Sequence, residues 1–142
     1  MSASNSLNPF AQRVWSALVA EYPQWSEHLR IRGQNDLEVA VQAPAESEAG
    51  WLVIFTSEGS DLWVRFSPPS ACYSADDEGE MLSVIRGLLS ESILFAVTMR
   101  GDKWVQTTLI QRTDQPQPSP GEKTQIYSWS GRHDRTIGSS SN

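Results

Sequence analysis

The chain switches between two hydrophobic periods, and the switches mark its elements. Phe10, Ala11, Val14, Trp15, Leu18, Val19 and Tyr22 recur at the spacing of one helical face. Asn8 ahead of them offers a capping oxygen, Pro9 suits a first turn where no N–H is needed, and Pro23 closes the run. The spacing predicts an amphipathic helix of about four turns. From Leu29 the period falls to two. Leu29 and Ile31 alternate with Arg30 and Arg32, and Leu37, Val39 and Val41 alternate with Glu38, Ala40 and Gln42, the pattern of strands with one wet face. After the polar break PAESEAG, the runs WLVIFT and DLWVRF flank the turn SEGS, a hairpin signal. Trp51, Val53 and Phe55 share one face of the first run, and Leu62, Val64 and Phe66 one face of the second. Pro68-Pro69 then ends strand pairing, because neither residue can donate to a ladder.

Helical spacing returns with Met81, Val84, Ile85, Leu88 and Leu89, the clearest helix in the chain. ILFAVTM and WVQTTLI follow as two strands. Gly101-Asp102 between Arg100 and Lys103 fits a two-residue hairpin turn in which Gly supplies the positive φ. Beyond Arg112 the composition changes to TDQPQPSPGEK, which reads as a proline-rich linker. Ile126, Tyr127 and Trp129 form a last apolar patch suited to an edge strand or to docking on the body. The final SGRHDRTIGSSSN is small and polar, the composition of disorder. The expected architecture is a single α+β domain over residues 8–111, in the order α-β-β-β-β-α-β-β. It has an antiparallel sheet of about six strands, one face of which lies under two helices. Residues 112–142 are expected to be linker and flexible C-terminal tail.

A length of 142 residues suits one such domain, with a core that needs no staples. The single Cys72 cannot close an internal disulfide, which points to a reducing, cytoplasmic setting. MSASNSLNPFAQR lacks the basic-then-apolar pattern of a secretory signal, and no apolar run approaches the ~20 residues of a membrane helix. A soluble protein without membrane contact is expected.

Charge sharpens the picture. The net charge is −6, and residues 36–80 carry ten carboxylates against Arg65 alone. Nucleic acid is a poor partner, because its affinity rests on Lys and Arg displacing counterions. Four of the ten, Asp76, Asp77, Glu78 and Glu80, precede the second helix. Ser74-Ala75-Asp76-Asp77 fits the S-x-x-[DE] capping pattern with Ser74 at the cap, and carboxylates there favour the positive end of the helix dipole. A cap needs one or two of them, which leaves a second role open. The spacing of D-D-E-G-E excludes a calcium loop, since the twelfth position from Asp76 is Gly87. An exposed helix start also does not crowd or bury a carboxyl enough for acid–base work.

Conventional catalytic material is sparse. Cys72, His28 and His133 are the only nucleophile and imidazoles, and nothing in the sequence places them together. The acidic neighbours downstream of Cys72 are expected to raise its pKa, so a small packed side chain is the simpler reading. No phosphate loop, zinc or redox motif or nucleophile elbow occurs, and Arg100-Gly101-Asp102 is explained by turn chemistry. No catalytic residue, metal site or cofactor is expected. Six tryptophans are many for one domain, and most should be core. Trp63 is different. It shares a strand face with Arg65, opposite Leu62, Val64 and Phe66, and Trp and Arg dominate interface hot spots.

Across residues 51–111, DLWVRF, CY, DDEGEMLSVIRGLLSES and ILFAVTMRGDKW resemble the small acidic immunity-type proteins of bacterial toxin–immunity systems. Such proteins have no catalytic machinery. They bury a toxin's functional surface, often basic, against an acidic one. Where some similar sequences carry histidines just before the aromatic at Tyr73, this chain has Ser70 and Cys72. The resemblance implies a binding protein with a protein partner, and the acidic middle third together with the exposed aromatic makes Glu58, Asp61, Trp63, Asp76, Asp77, Glu78 and Glu80 the expected contact residues of a cytoplasmic protein. The element order is also similar to that of small acidic chaperones for secreted effectors, which are dimers and usually end in a further helix. Monomer and dimer both remain open from the sequence.

Overall fold

The computed structural model describes residues 6–138. Helix α1 spans Pro9–Glu21 and α2 spans Glu78–Ser90, with a short 3-10 turn at Pro23–Trp25. Strands β1 (Leu29–Arg32), β2 (Asp36–Gln42), β3 (Trp51–Ser57), β4 (Asp61–Phe66) and β5 (Cys72–Ala75) form a five-stranded antiparallel meander. β6 (Ile93–Arg100), β7 (Lys103–Gln111), β8 (Glu122–Tyr127) and β9 (Arg135–Gly138) form a second antiparallel sheet in the order β7-β6-β8-β9.

The α+β class and both helices match the sequence expectation; the single six-stranded sheet does not. β6 explains the division. Leu94, Phe95, Ala96, Val97 and Thr98 are all buried, so this strand is covered on both faces and flanked by β7 and β8. A continuous apolar run is the mark of such a strand. Residues 112–121 contain no helix or strand. Pro116 and Pro118 nevertheless line a groove with Ala96, Thr108 and Thr124, beside a small second core of Leu94, Ala96 and Ile126. The patch expected to supply an edge strand supplies an interior one, β8, with Ile126 fully buried, and β9 forms the edge. The disorder expected over residues 130–142 gives way within that stretch at Arg135–Gly138, which pairs with β8 as β9, an edge that a polar sequence can occupy, and residues 139–142 lie outside the described residues.

Both helices sit on one face of the five-stranded sheet. Asn8 caps α1, its Oδ1 accepting from the Ala11 N–H at 2.8 Å, and Ala11, Val14 and Leu18 are buried. In α2, Met81, Val84, Ile85 and Leu88 meet the same core, to which the sheet contributes Leu37, Val39, Leu52, Ile54, Leu62, Val64 and Phe66. The helices run parallel. Arg13 of α1 pairs with Glu78 of α2 at 3.4 Å, and one helical stretch further on Glu21 pairs with Arg86 at 2.6 Å. The second sheet joins this core edge-on, where Phe95 meets Phe66 in a T-shaped contact at 5.0 Å and Trp129 lies 5.9 Å from Phe66. Gly87 makes the close approach of α2 to β6 possible, since a Cβ there would stand 2.5 Å from Ile93.

Candidate protein-interaction face

Strand alternation sends half of the sheet's side chains away from the helices. The register aligns Arg30, Glu38, Phe55, Trp63 and Ser74 in one row across β1 to β5, and Ala40, Val53, Arg65 and Cys72 in the next. Trp51 stands opposite Gln42 at the end of β3. None of Ala40, Trp51, Val53, Phe55 or Trp63 belongs to either buried apolar cluster. Trp51 is 43% exposed. The rings of Phe55 and Trp63 stack across the strands, 6.2 Å apart and 15° from parallel. The Arg32 guanidinium lies 4.2 Å from the Phe55 centroid and bonds Glu38 at 3.1 Å, a cation–π contact worth about 0.5–1 kcal/mol at an exposed site. Arg65 turns its head toward the backbone, donating to the carbonyls of Phe66 and Ser67.

The seven residues singled out from the sequence come to one end of this sheet. Leu62 pairs with Ala75, so Asp61 and Asp76 extend adjacent strands in the same direction, and each is two residues, about 7 Å, beyond the Trp63–Ser74 pair. Glu58 occupies the β3–β4 turn at that end with φ +54°, and α2 begins there with Asp77, Glu78 and Glu80. Because the helices are parallel, the N-terminus of α1 lies there too. Asn8 donates to Asp36 at 3.0 Å, and the Asp36 carboxylate also accepts from Thr56. Two positive helix ends beside one cluster of carboxylates reduce the repulsion among them. Glu46 and Glu48, in the β2–β3 loop, lie at the opposite end of the sheet, so the acidic third of the chain is only partly gathered.

The carboxylates before α2 divide the work. Asp77, not Ser74, caps the helix: its Oδ1 accepts from the Glu80 N–H at 2.8 Å, while Ser74 lies within β5. The β5 pairing to β4 carries the strand through Ala75, which places the helix start three residues later than the sequence pattern implied. Glu80 folds back on the same turn, accepting from the Asp76 N–H and, at 2.6 Å, from the Tyr73 hydroxyl. That bond holds the Tyr73 phenol proton and raises its pKa above 10.0, with burial adding to the effect. Glu78 is tied to Arg13. Among the described residues, the side chains of Glu58, Asp61 and Asp76 are exposed and have no hydrogen-bond or ion-pair partner. These three remain available to a partner.

Cys72 stands on the same face beside Arg65. Its thiol pKa is raised above 9.0 as expected, but for a different reason. Burial is the main cause, and the nearest charge, Arg65, pulls the other way. His28 precedes β1 and Cys72 lies on β5, the two opposite edges of the sheet, four strand spacings or about 19 Å apart. The two are too distant for a nucleophile–base pair. His133 lies 3.8 Å from Glu91, whose carboxylate accepts from the Ser130 N–H and ties the β8–β9 loop to the end of α2. Sequence spacing gave no sign of that contact, since it joins residues about forty positions apart. Among the described residues, no three His, Cys, Asp or Glu side chains converge as a metal site would require, and no helix is long and apolar enough to cross a membrane. Comparison of this chain with family models, with curated proteins and with solved structures returns no match.

Proposed function

We propose that this chain is a non-catalytic protein-binding domain that docks a basic protein partner, a bacterial toxin domain that it neutralises, through the open face of its five-stranded sheet and the acidic end of that face. One observation carries the reading. Trp63 stacks on Phe55 on a sheet face that neither helix packs against, two residues along the strand from the level of the unpaired carboxylates of Asp61 and Asp76. Aromatic side chains that cannot be core supply the desolvated anchor of an interface, and adjacent carboxylates steer a cationic partner and speed association. Arg30, Arg32 and Arg65 share the face, so complementarity there is mixed, with acidic character concentrated at one end.

The test is capture with matched variants, followed by a growth assay. The immobilised chain should retain from its native host a basic protein that both Trp63→Thr and the pair Asp61→Lys/Asp76→Lys lose. Co-expression of the chain should relieve the growth defect that this partner causes alone. Equal retention by both variants, or a growth defect left unrelieved, overturns the reading.

A further inference from the structure

The second sheet has a groove that the interaction face does not use. Its floor is a block of cross-strand neighbours: Val97 beside Gln125 and Thr136, and Met99 beside Lys123. It encloses about 430 Å³, within the range of small-molecule pockets. We propose that this groove binds a small molecule made of an apolar body and a carboxylate.

The lining sets the chemistry. Met99 offers apolar surface, over a Val97 that is itself buried. Gln125 is already committed, its Nε2 donating to the Ile126 carbonyl and its Oε1 accepting from the Thr136 hydroxyl, so it is a fixed wall. The charged group left is Lys123, and among the described residues no carboxylate lies within ion-pair distance of it. Glu122 points to the other face of the sheet, where it pairs with Arg100 at 2.9 Å. In a chain of net charge −6, a groove with a lysine and no acid in its lining selects for an anion.

The backbone makes room for that lysine. Gly138 stands opposite Lys123, and a Cβ at Gly138 would fall 2.8 Å from Lys123 Cγ, so the missing side chain is what lets the lysine stem lie across the neighbouring strand. Gly101 and Gly121, at φ +63° and +85°, form turns along the groove in a backbone conformation that side chains rarely adopt. An apolar body over Met99 with its anion at the Lys123 ammonium is the arrangement these residues accommodate.

Methyl-labelled methionine in the full chain provides the probe. Met99 lies in the groove, and Met81, buried in the main core, reports whether the fold is intact. Octanoate should shift the Met99 methyl resonance and bind more tightly than 1-octanol, with octylammonium weakest. Lys123→Gln should weaken octanoate about three- to fivefold, the worth of one partly exposed ion pair, and leave octanol unchanged. An unmoved Met99 resonance, equal affinity for the three amphiphiles, or octanoate binding that survives Lys123→Gln overturns the proposal. The wild-type series decides by itself if that variant disturbs the Met81 signal.

Discussion

Replacing Trp63 separates an interface aromatic from a core aromatic. If Trp63 belongs to an uncovered face, Trp63→Thr removes its stack on Phe55 and part of its apolar contact, but leaves the core closed. An aromatic pair is worth about 0.5–1.5 kcal/mol beyond area burial, and a cross-strand pair about 0.2–1 kcal/mol. Threonine keeps the β-preference of the site. Both figures describe the one Phe55–Trp63 contact, so the expected loss is about 0.5–1.5 kcal/mol. Phe66 is the control. It is fully buried on the same strand, in contact with Phe95 and Trp129, and Phe66→Ala should cost about 3–5 kcal/mol. Urea unfolding followed by far-UV circular dichroism measures both, and a midpoint that moves at constant slope shows that stability alone has changed. A loss at Trp63→Thr equal to that at Phe66→Ala would mean that the ring is structural, and the interaction face would lose its anchor.

Two further outcomes follow from the helix ends. Asp77→Ala should destabilise the fold by about 0.5–2 kcal/mol and Ser74→Ala should leave it nearly unchanged, because only Asp77 accepts from the first turn; thermal unfolding that reverses this order refutes the assignment. The bond from Arg86 holds the Glu21 carboxyl below its ordinary 4.5, so its contribution is complete above about pH 4.5 and is lost as pH falls through the lowered value. Glu21→Gln should accordingly flatten the acid limb of a stability–pH profile, and an unchanged limb would show that the pair contributes nothing.

Local chemistry was legible wherever neighbours in sequence are neighbours in space. Asn8-Pro9, the Met81 to Leu89 stripe and the alternation in β1 to β4 identified their elements, because a helix face and a strand face are each set by a few adjacent residues. The α2 cap was missed by three residues. S-x-x-D and D-x-x-E overlap in the sequence, and only the β4 pairing, which draws Ser74 into a strand, selects between them. β5 went unread for a related reason: CYSA is four residues long and exists as a strand only because β4 offers it an edge.

By itself, then, the sequence determined the fold class, both helices, the first hairpins and the concentration of carboxylates in its middle third. Tertiary structure alone decided that β6 starts a second sheet, that β8 enters that sheet's interior, and which carboxylates remain free. The parallel pairing of α1 with α2, 65 residues apart, brings Arg13 to Glu78 and leaves the Asp76 carboxylate without an ion-pair partner among the described residues. Periodicity records which side of an element is apolar. Which element covers that side, and which charge meets which, depends on contacts between residues far apart in the chain, and no local pattern encodes those.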